Sequence, residues 1–191
     1  MLKQNTLQNF ENTTMASLTE DLYEKSHESK EHIDRMIELC DKLGRAINLD
    51  ESLLKQLSLL AKFHDVGKVG VNGAILTKKD KLTDDEWKEI KQHPIIGFRI
   101  AKSIPELEMI AGYILLHHER WDGKGYPKGR RGSEIPKLSR IITIVDAFDV
   151  MTSDRPYKKA MSITEAFAEL DRCAGKQFDA DLVSAFKRIA E

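Results

Sequence analysis

His64-Asp65 with Lys68 three residues on, and the run His117-His118-Glu119-Arg120-Trp121-Asp122-Gly123-Lys124-Gly125-Tyr126-Pro127, are the stretches of this chain whose residue types suit chemistry better than packing. They hold three of its six histidines, and His32 and His93 stand in other segments. Imidazole nitrogen and carboxylate oxygen both suit borderline divalent cations, and one carboxylate can bridge two of them, so adjacent His/Asp pairs point to a polynuclear metal hydrolase. Taken singly, each histidine reads better as a surface or satisfied core residue. Jointly, His64, Asp65, His93, His117, His118 and Asp146 fall at or near predicted helix ends or on an apolar helix, where an unsatisfied polar group costs about 1–3 kcal/mol. Shared metals would satisfy them together. Asp146 is the sharpest case, a carboxylate directly after Ile141-Ile142-Thr143-Ile144-Val145 that must be paired, ligated or protonated.

The elements that position these groups read as helices. Leu7, Phe10, Met15, Leu18 and Leu22 recur at helical spacing over residues 1–26, a narrow apolar stripe that needs a partner. That segment is either folded onto the domain or a coiled-coil-like connector or dimer contact. Two amphipathic helices over 28–47 and 51–65 follow, separated by a turn at 44–50, and His64-Asp65 closes the second. Gly67, Gly70 and Gly73 then predict a loop. Thr83-Asp84-Asp85-Glu86 is a capping box that starts a helix carrying His93 near its end, where Pro94 interrupts it and opens the next turn. A helix over 106–118 ends in His117-His118, and a Gly/Pro-rich loop runs over 122–136. Residues 138–151 read as a buried helix with polar residues facing a site. Strand is possible for 140–145 from its β-branched content, but Asp146 and Asp149, three apart on one face, favour helix. Ser162 to Glu165 is a second capping box, Gly175 a stop, and Asp179 the cap of a last helix to Ile189. The pattern is all-α, without a dinucleotide-binding or P-loop glycine signature and without an internal repeat.

Bulk properties agree with one globular unit. The 191 residues, 41% apolar and 32% charged, are an ordinary composition for a soluble domain. A net charge of −1 gives no global attraction for nucleic acid polymers or anionic membranes, so an anionic substrate must be captured locally. Residues 119–159 supply that with ten Lys/Arg against six Asp/Glu. Two cysteines, Cys40 and Cys173, form no CxxC pattern and read as a reducing, cytoplasmic compartment, Cys40 within a core. No apolar run approaches the roughly 20 residues of a membrane helix, and the opening residues lack the apolar stretch of a signal peptide.

These motifs resemble the HD-GYP branch of the HD metal-dependent phosphohydrolase superfamily over almost all of residues 28–190. His64-Asp65-Val66-Gly67-Lys68 resembles the HD motif with its lysine. His117-His118-Glu119 followed by Asp122-Gly123-Lys124-Gly125-Tyr126-Pro127 resembles the complete HHE and GYP motif, and Asp154-Arg155-Pro156-Tyr157 the segment after the last metal-binding aspartate. The long GYP motif is highly specific; HD alone is weak. The resemblance implies a helical bundle of HD-domain type with a polynuclear metal site in its core; beside the N-terminal stripe it divides the chain into a connector helix at 1–26 and a catalytic domain at 27–191. It implies His32, His64, Asp65, His93, His117, His118 and Asp146 as metal ligands, with Asp65 bridging, and two or three divalent ions, iron or manganese. Glu28, four residues before His32 and on its helix face, resembles the glutamate that binds a third metal in the trinuclear class; a solvated surface glutamate is the equal alternative. His27 matches nothing in the pattern.

The implied reaction is hydrolysis of cyclic di-GMP to pGpG and/or GMP. Two divalent ions lower the pKa of a shared water from about 15.7 to roughly 7, so a metal-bound hydroxide replaces any serine or cysteine nucleophile. Lys68 is placed to stabilise charge on the phosphoryl oxygens. Arg155 and Lys158 resemble substrate-phosphate or guanine contacts, and Gly125 and Tyr126 would let a nucleotide approach the backbone. Two other readings stand beside it. One is a phosphohydrolase of the same site acting on another cyclic dinucleotide or a nucleotide. The other is a non-catalytic cyclic di-GMP-binding signalling module, which missing ligands would favour and none is missing. The N-terminal segment holds no recognisable sensor domain, so a sensory partner, a homodimer through the N-terminal helix, or a longer chain would supply regulation.

Overall fold

The computed structural model of the chain describes residues 29–154 and 159–190. The N-terminal helix expected over 1–26, Glu28, Arg155 and Lys158 lie outside them. Ser29 begins α1 (Lys30–Ala46) by accepting a hydrogen bond from the His32 amide at 3.1 Å. Ile33, Met36, Cys40 and Leu43, three or four apart, are buried along one stripe of it. Asn48 takes φ 57°, a left-handed turn that asparagine tolerates, and Asp50 caps α2 (Glu51–Phe63) through the Leu53 amide at 2.8 Å. After α2 come His64 and Asp65, as expected.

The glycines beyond them form structure where a loop was expected. Val66–Gly70 is a 3₁₀ turn and Gly73–Leu76 a short helix, α3. Close packing, not left-handed backbone, explains Gly67. A Cβ there would lie 1.9 Å from the His93 carbonyl oxygen and 2.5 Å from the Gly97 amide nitrogen. The turn therefore sits backbone to backbone on the next long helix. The Thr83 capping box is present and opens α4, but α4 covers only Asp84–Ile90. His93, expected near its end, instead opens α5 (His93–Ser103), with Pro94 in the first turn. The reason lies in proline, whose missing N–H and fixed φ suit a helix start and not a continuation. No residue from 72 to 92 is buried, so α3 and α4 form an excursion outside the core, tied by the Asn72 amide to Glu89 at 2.9 Å and by Lys78 to Glu86 at 2.7 Å.

The helix expected over 106–118 is shorter and split, a 3₁₀ turn at Glu108–Ile110 and α6 at Ala111–Leu116, with His117 and His118 just past its end. The Gly/Pro-rich loop follows and holds one 3₁₀ turn, Gly132–Glu134. Then α7 (Lys137–Thr152) runs through the centre, against α1, α2 and α6 and also against α8 (Ile163–Cys173) and α9 (Ala180–Lys187). Being covered on so many sides explains its sequence: Ile141, Ile142, Ile144 and Val145 are all buried, and tertiary packing overrides the β-preference of the run. Ser162 and Asp179 cap α8 and α9 as expected. Among the described residues there is no strand, only an isolated bridge between Ala174 and Phe178, and no helix is long and apolar enough to cross a membrane.

The Gly67 contact is testable in stability. Gly67→Ala forces backbone apart and is expected to cost about 3 kcal/mol, the upper end of overpacking, lowering the melting midpoint by about 6 °C or more. Gly73→Ala, with nothing within 4 Å of the new methyl, should change stability by less than about 0.5 kcal/mol. Equal midpoints for the two variants would remove the close approach from the account.

Candidate metal centre

Three helix ends and the faces of two helices converge on one buried cluster. His64 follows α2, and its Nδ1 lies 3.0 Å from the Ala61 carbonyl oxygen; His93 opens α5 and places Nδ1 2.7 Å from the Ile90 carbonyl; His117 follows α6 and places Nδ1 2.6 Å from the Ile114 carbonyl. Carbonyls in the last turn of a helix lack intrahelical donors, so each ring satisfies one and is oriented by it. His32, on α1, instead points Nδ1 at Asp149 Oδ2, 2.6 Å away on α7. Carbonyl and carboxylate oxygens only accept, so in all four contacts a proton is on Nδ1, and Nε2 is the nitrogen left to offer a lone pair to a metal.

Those lone pairs meet around Asp65. Its Oδ1 is 3.0 Å from His93 Nε2 and 3.6 Å from His117 Nε2, and its Oδ2 is 3.4 Å from His64 Nε2. The Nε2 atoms of His93 and His117 are themselves 3.3 Å apart. Electron-rich atoms this close repel unless a proton or a cation lies among them. Protons serve poorly, because burial pushes His117 down to about 4 against the opposing pull of Asp65, and burial followed by the His117 charge holds His118 well below the usual range. Burial also works against ionisation of Asp65, but the Lys68 ammonium and His64 hold its carboxyl well below the usual carboxylate range. Asp65 Oδ1 is buried and accepts no hydrogen bond. A borderline divalent cation among nitrogen and carboxylate donors satisfies all of these groups.

The donors sort into two groups, Asp65, His93, His117 and His118 in one, and His32, His64 and Asp146 in the other, the ligand atoms of each lying within 4.8 Å of one another. The contact between His64 and Asp65 joins them. The structure thus brings together His32, His64, Asp65, His93, His117, His118 and Asp146. Lys68 Nζ reaches Asp65 Oδ2 at 2.6 Å. Tyr126 stacks on His118 with ring centroids 4.9 Å apart and 26° between planes, and Lys91 lies 5.6 Å over the Tyr126 ring. Gly125 has its missing side chain taken up by the chain itself: a Cβ would lie 2.4 Å from the Arg120 amide nitrogen and 2.5 Å from Glu119 Cα.

Two readings from sequence change. Asp146 is not the fully buried carboxylate expected of the apolar helix; its side chain is 29% exposed beside His32, because it lies on the face of α7 turned to the site. The buried one is Asp149, at 3%, whose pKa is pushed down to about 2 because His32 and Arg35 outweigh the burial penalty. Glu119 has a role that sequence did not give it. Its buried carboxylate accepts from the Lys128 amide at 2.6 Å and ties the end of the GYP run to its start. The same loop is held to the C-terminal turn by the Trp121 and Asp122 amides, bonded to the Gln177 and Lys176 carbonyls at 3.1 and 2.7 Å.

The HD domain family profile matches residues 13–182. A cyclic di-GMP phosphodiesterase of Thermotoga maritima is 38% identical over 164 residues, covering 85% of this chain and 45% of that protein. The 3'3'-cGAMP-specific phosphodiesterase 3 of Vibrio cholerae is 34% identical over 164 residues, covering 86% of this chain and 36% of that protein. In three dimensions the chain resembles a crystal structure of a cyclic GMP-AMP-specific phosphodiesterase of V. cholerae, with a TM-score of 0.73 at 25% identity, covering 93% of this chain and 48% of that one. The chain spans less than half the length of each of these relatives. Its helical fold, its converging His/Asp donors and its full-length motif agree with that match: the chain belongs to the HD domain family, in its HD-GYP branch.

Proposed function

We propose that this chain is a metal-dependent phosphodiesterase that hydrolyses cyclic di-GMP to pGpG and/or GMP. The observation that carries the reading is Asp65, whose two carboxylate oxygens face different donor groups, Oδ1 toward His93 and His117 and Oδ2 toward His64. Bound divalent ions, iron or manganese, supply an activated water and positive charge for the phosphoryl oxygens. The protein's part is to hold His32, His64, His93, His117, His118, Asp65 and Asp146 as ligands with their lone pairs inward. Lys68 balances the Asp65 charge and stands ready for a phosphoryl oxygen. Tyr126, stacked on His118, offers an aromatic face beside the ligands, and Gly125 sets the turn that carries it. Arg155 and Lys158 follow α7 in sequence and are assigned to substrate phosphate or guanine.

The names of the relatives support a cyclic dinucleotide as substrate, and the V. cholerae protein makes 3'3'-cGAMP the second candidate. A purely binding role is disfavoured by the complete donor set. Residues 1–26 are assigned to a connector helix ahead of a catalytic domain at 27–191, a contact for a second copy or a sensory partner in the cytoplasm. Incubating metal-loaded protein with cyclic di-GMP, 3'3'-cGAMP and cyclic di-AMP, and resolving the products chromatographically, tests the assignment. Linear dinucleotide or mononucleotide from cyclic di-GMP is the expected result; no turnover of any of the three would overturn it.

Asp65→Ala should keep the helical circular dichroism of the wild type while turnover falls well below a tenth, a loss of more than about 1.4 kcal/mol of transition-state stabilisation. Retained turnover would contradict a shared-carboxylate site. Glu28 is proposed as the ligand of a third ion on its resemblance to the glutamate of the trinuclear class; α1 begins at Lys30 behind the extended Ser29 cap, so the helix-face relation expected between Glu28 and His32 does not carry the assignment. Elemental analysis should then find three metals in the wild type and two in Glu28→Gln, with product shifted from GMP toward pGpG. Two metals in both proteins would remove Glu28 from the site and leave the phosphodiesterase reading standing.

A further inference from the structure

His32 differs from His64, His93 and His117 in what holds it. His64, His93 and His117 donate Nδ1–H to neutral backbone carbonyls of Ala61, Ile90 and Ile114, each three residues earlier. His32 donates to Asp149, a buried carboxylate 117 residues away in sequence. That carboxylate is itself clamped. Arg35 Nε donates to Oδ1 at 2.5 Å and a terminal guanidinium nitrogen to Oδ2 at 2.9 Å, the same nitrogen reaching Ser153 Oγ at 2.8 Å. Arg35 is three residues after His32, so α1 delivers both the ring and the cation that fixes the ring's acceptor.

A carboxylate behind an imidazole raises the basicity of the opposite nitrogen, which a neutral carbonyl does far less. The stronger donor is placed in the poorer group. His32 belongs to the set of three with His64 and the partly exposed Asp146, whereas Asp65, His93, His117 and His118 make a set of four. We propose that Asp149, clamped by Arg35, is a positioning residue that aims His32 and strengthens it, so that ion binding at His32, His64 and Asp146 depends on Asp149 while binding at the Asp65, His93, His117 and His118 group does not. This rests on the metal reading of the site given above.

The test is a competition titration of Mn²⁺ against a chromophoric chelator, with elemental analysis, on wild type, Asp149→Asn and Asp149→Ala. Asparagine keeps an acceptor for His32 and loses the charge, so one ion should bind about tenfold more weakly. Alanine loses the acceptor as well, so the same ion should bind about a hundredfold more weakly. In both variants the remaining affinity should stay within about twofold of wild type, although the metal-free melting midpoint falls because the pair of Arg35 with buried Asp149 is lost. Unchanged affinities in the asparagine variant, equal weakening of both ions, or a lower metal-free midpoint without a split in affinity would each overturn the proposal while leaving the metal site intact. A wild type that binds no Mn²⁺ would instead bring down the metal reading and this inference with it.

Discussion

The site depends on an unfavourable arrangement of like groups: a buried carboxylate, Asp65, surrounded by imidazole nitrogens whose protons all point away from it. In water such groups would separate or take up protons. Here burial opposes protonation of His117, and the Lys68 ammonium and His64 hold the Asp65 carboxyl well below the usual carboxylate range, so the donors face one another with few protons to separate them. Its electrostatic complement is a divalent cation, and the rest of the fold serves to hold the donors against their own repulsion.

Helix ends supply most of that restraint. His64 and His117 each come directly after a helix, and His93 comes soon after α4, so each ring lands beside the last-turn carbonyl that fixes its tautomer. One contact thus satisfies an orphan backbone acceptor and aims a ligand. The Gly67 turn then presses the Asp65 segment onto the start of α5, backbone on backbone, and brings the carboxylate to His93. On the far side α1 and α7 are pinned through His32, Asp149 and Arg35. In the GYP loop, Glu119 and Gly125 close the turn on itself, which holds Tyr126 against His118.

Much of this was legible from sequence, where local chemistry decides structure. Thr83 and Ser162 capping boxes, the Asp179 cap and the periodicity of α1 and α2 gave helices close to those found, because capping and amphipathicity act within a few residues. The donors His64, Asp65, His93, His117 and Asp146 stood out for their unsuitability as packing residues. What sequence misplaced depends on distant partners. Gly67 read as a loop glycine because its neighbour, the His93 carbonyl, is remote in sequence; Asp146 was taken for the buried acid because nothing local reveals that Arg35 and His32 close over Asp149 instead. The break at Pro94 is legible, but His93 falls on its far side, because the helix opened by Thr83 already ends at Ile90 and His93 opens α5 beside the proline. Glu28, Arg155 and Lys158 fall outside the described residues, so their assignments rest on motif and spacing alone.

The central claim is that Asp65 is shared between two cations. Anomalous scattering from crystals grown with Mn²⁺ tests it most directly. The account predicts a peak within the Asp65, His93, His117 and His118 group and a second within the His32, His64 and Asp146 group, about 3.5–4 Å apart, with one Asp65 oxygen toward each. A single peak, or two peaks of which only one lies against Asp65, would contradict it.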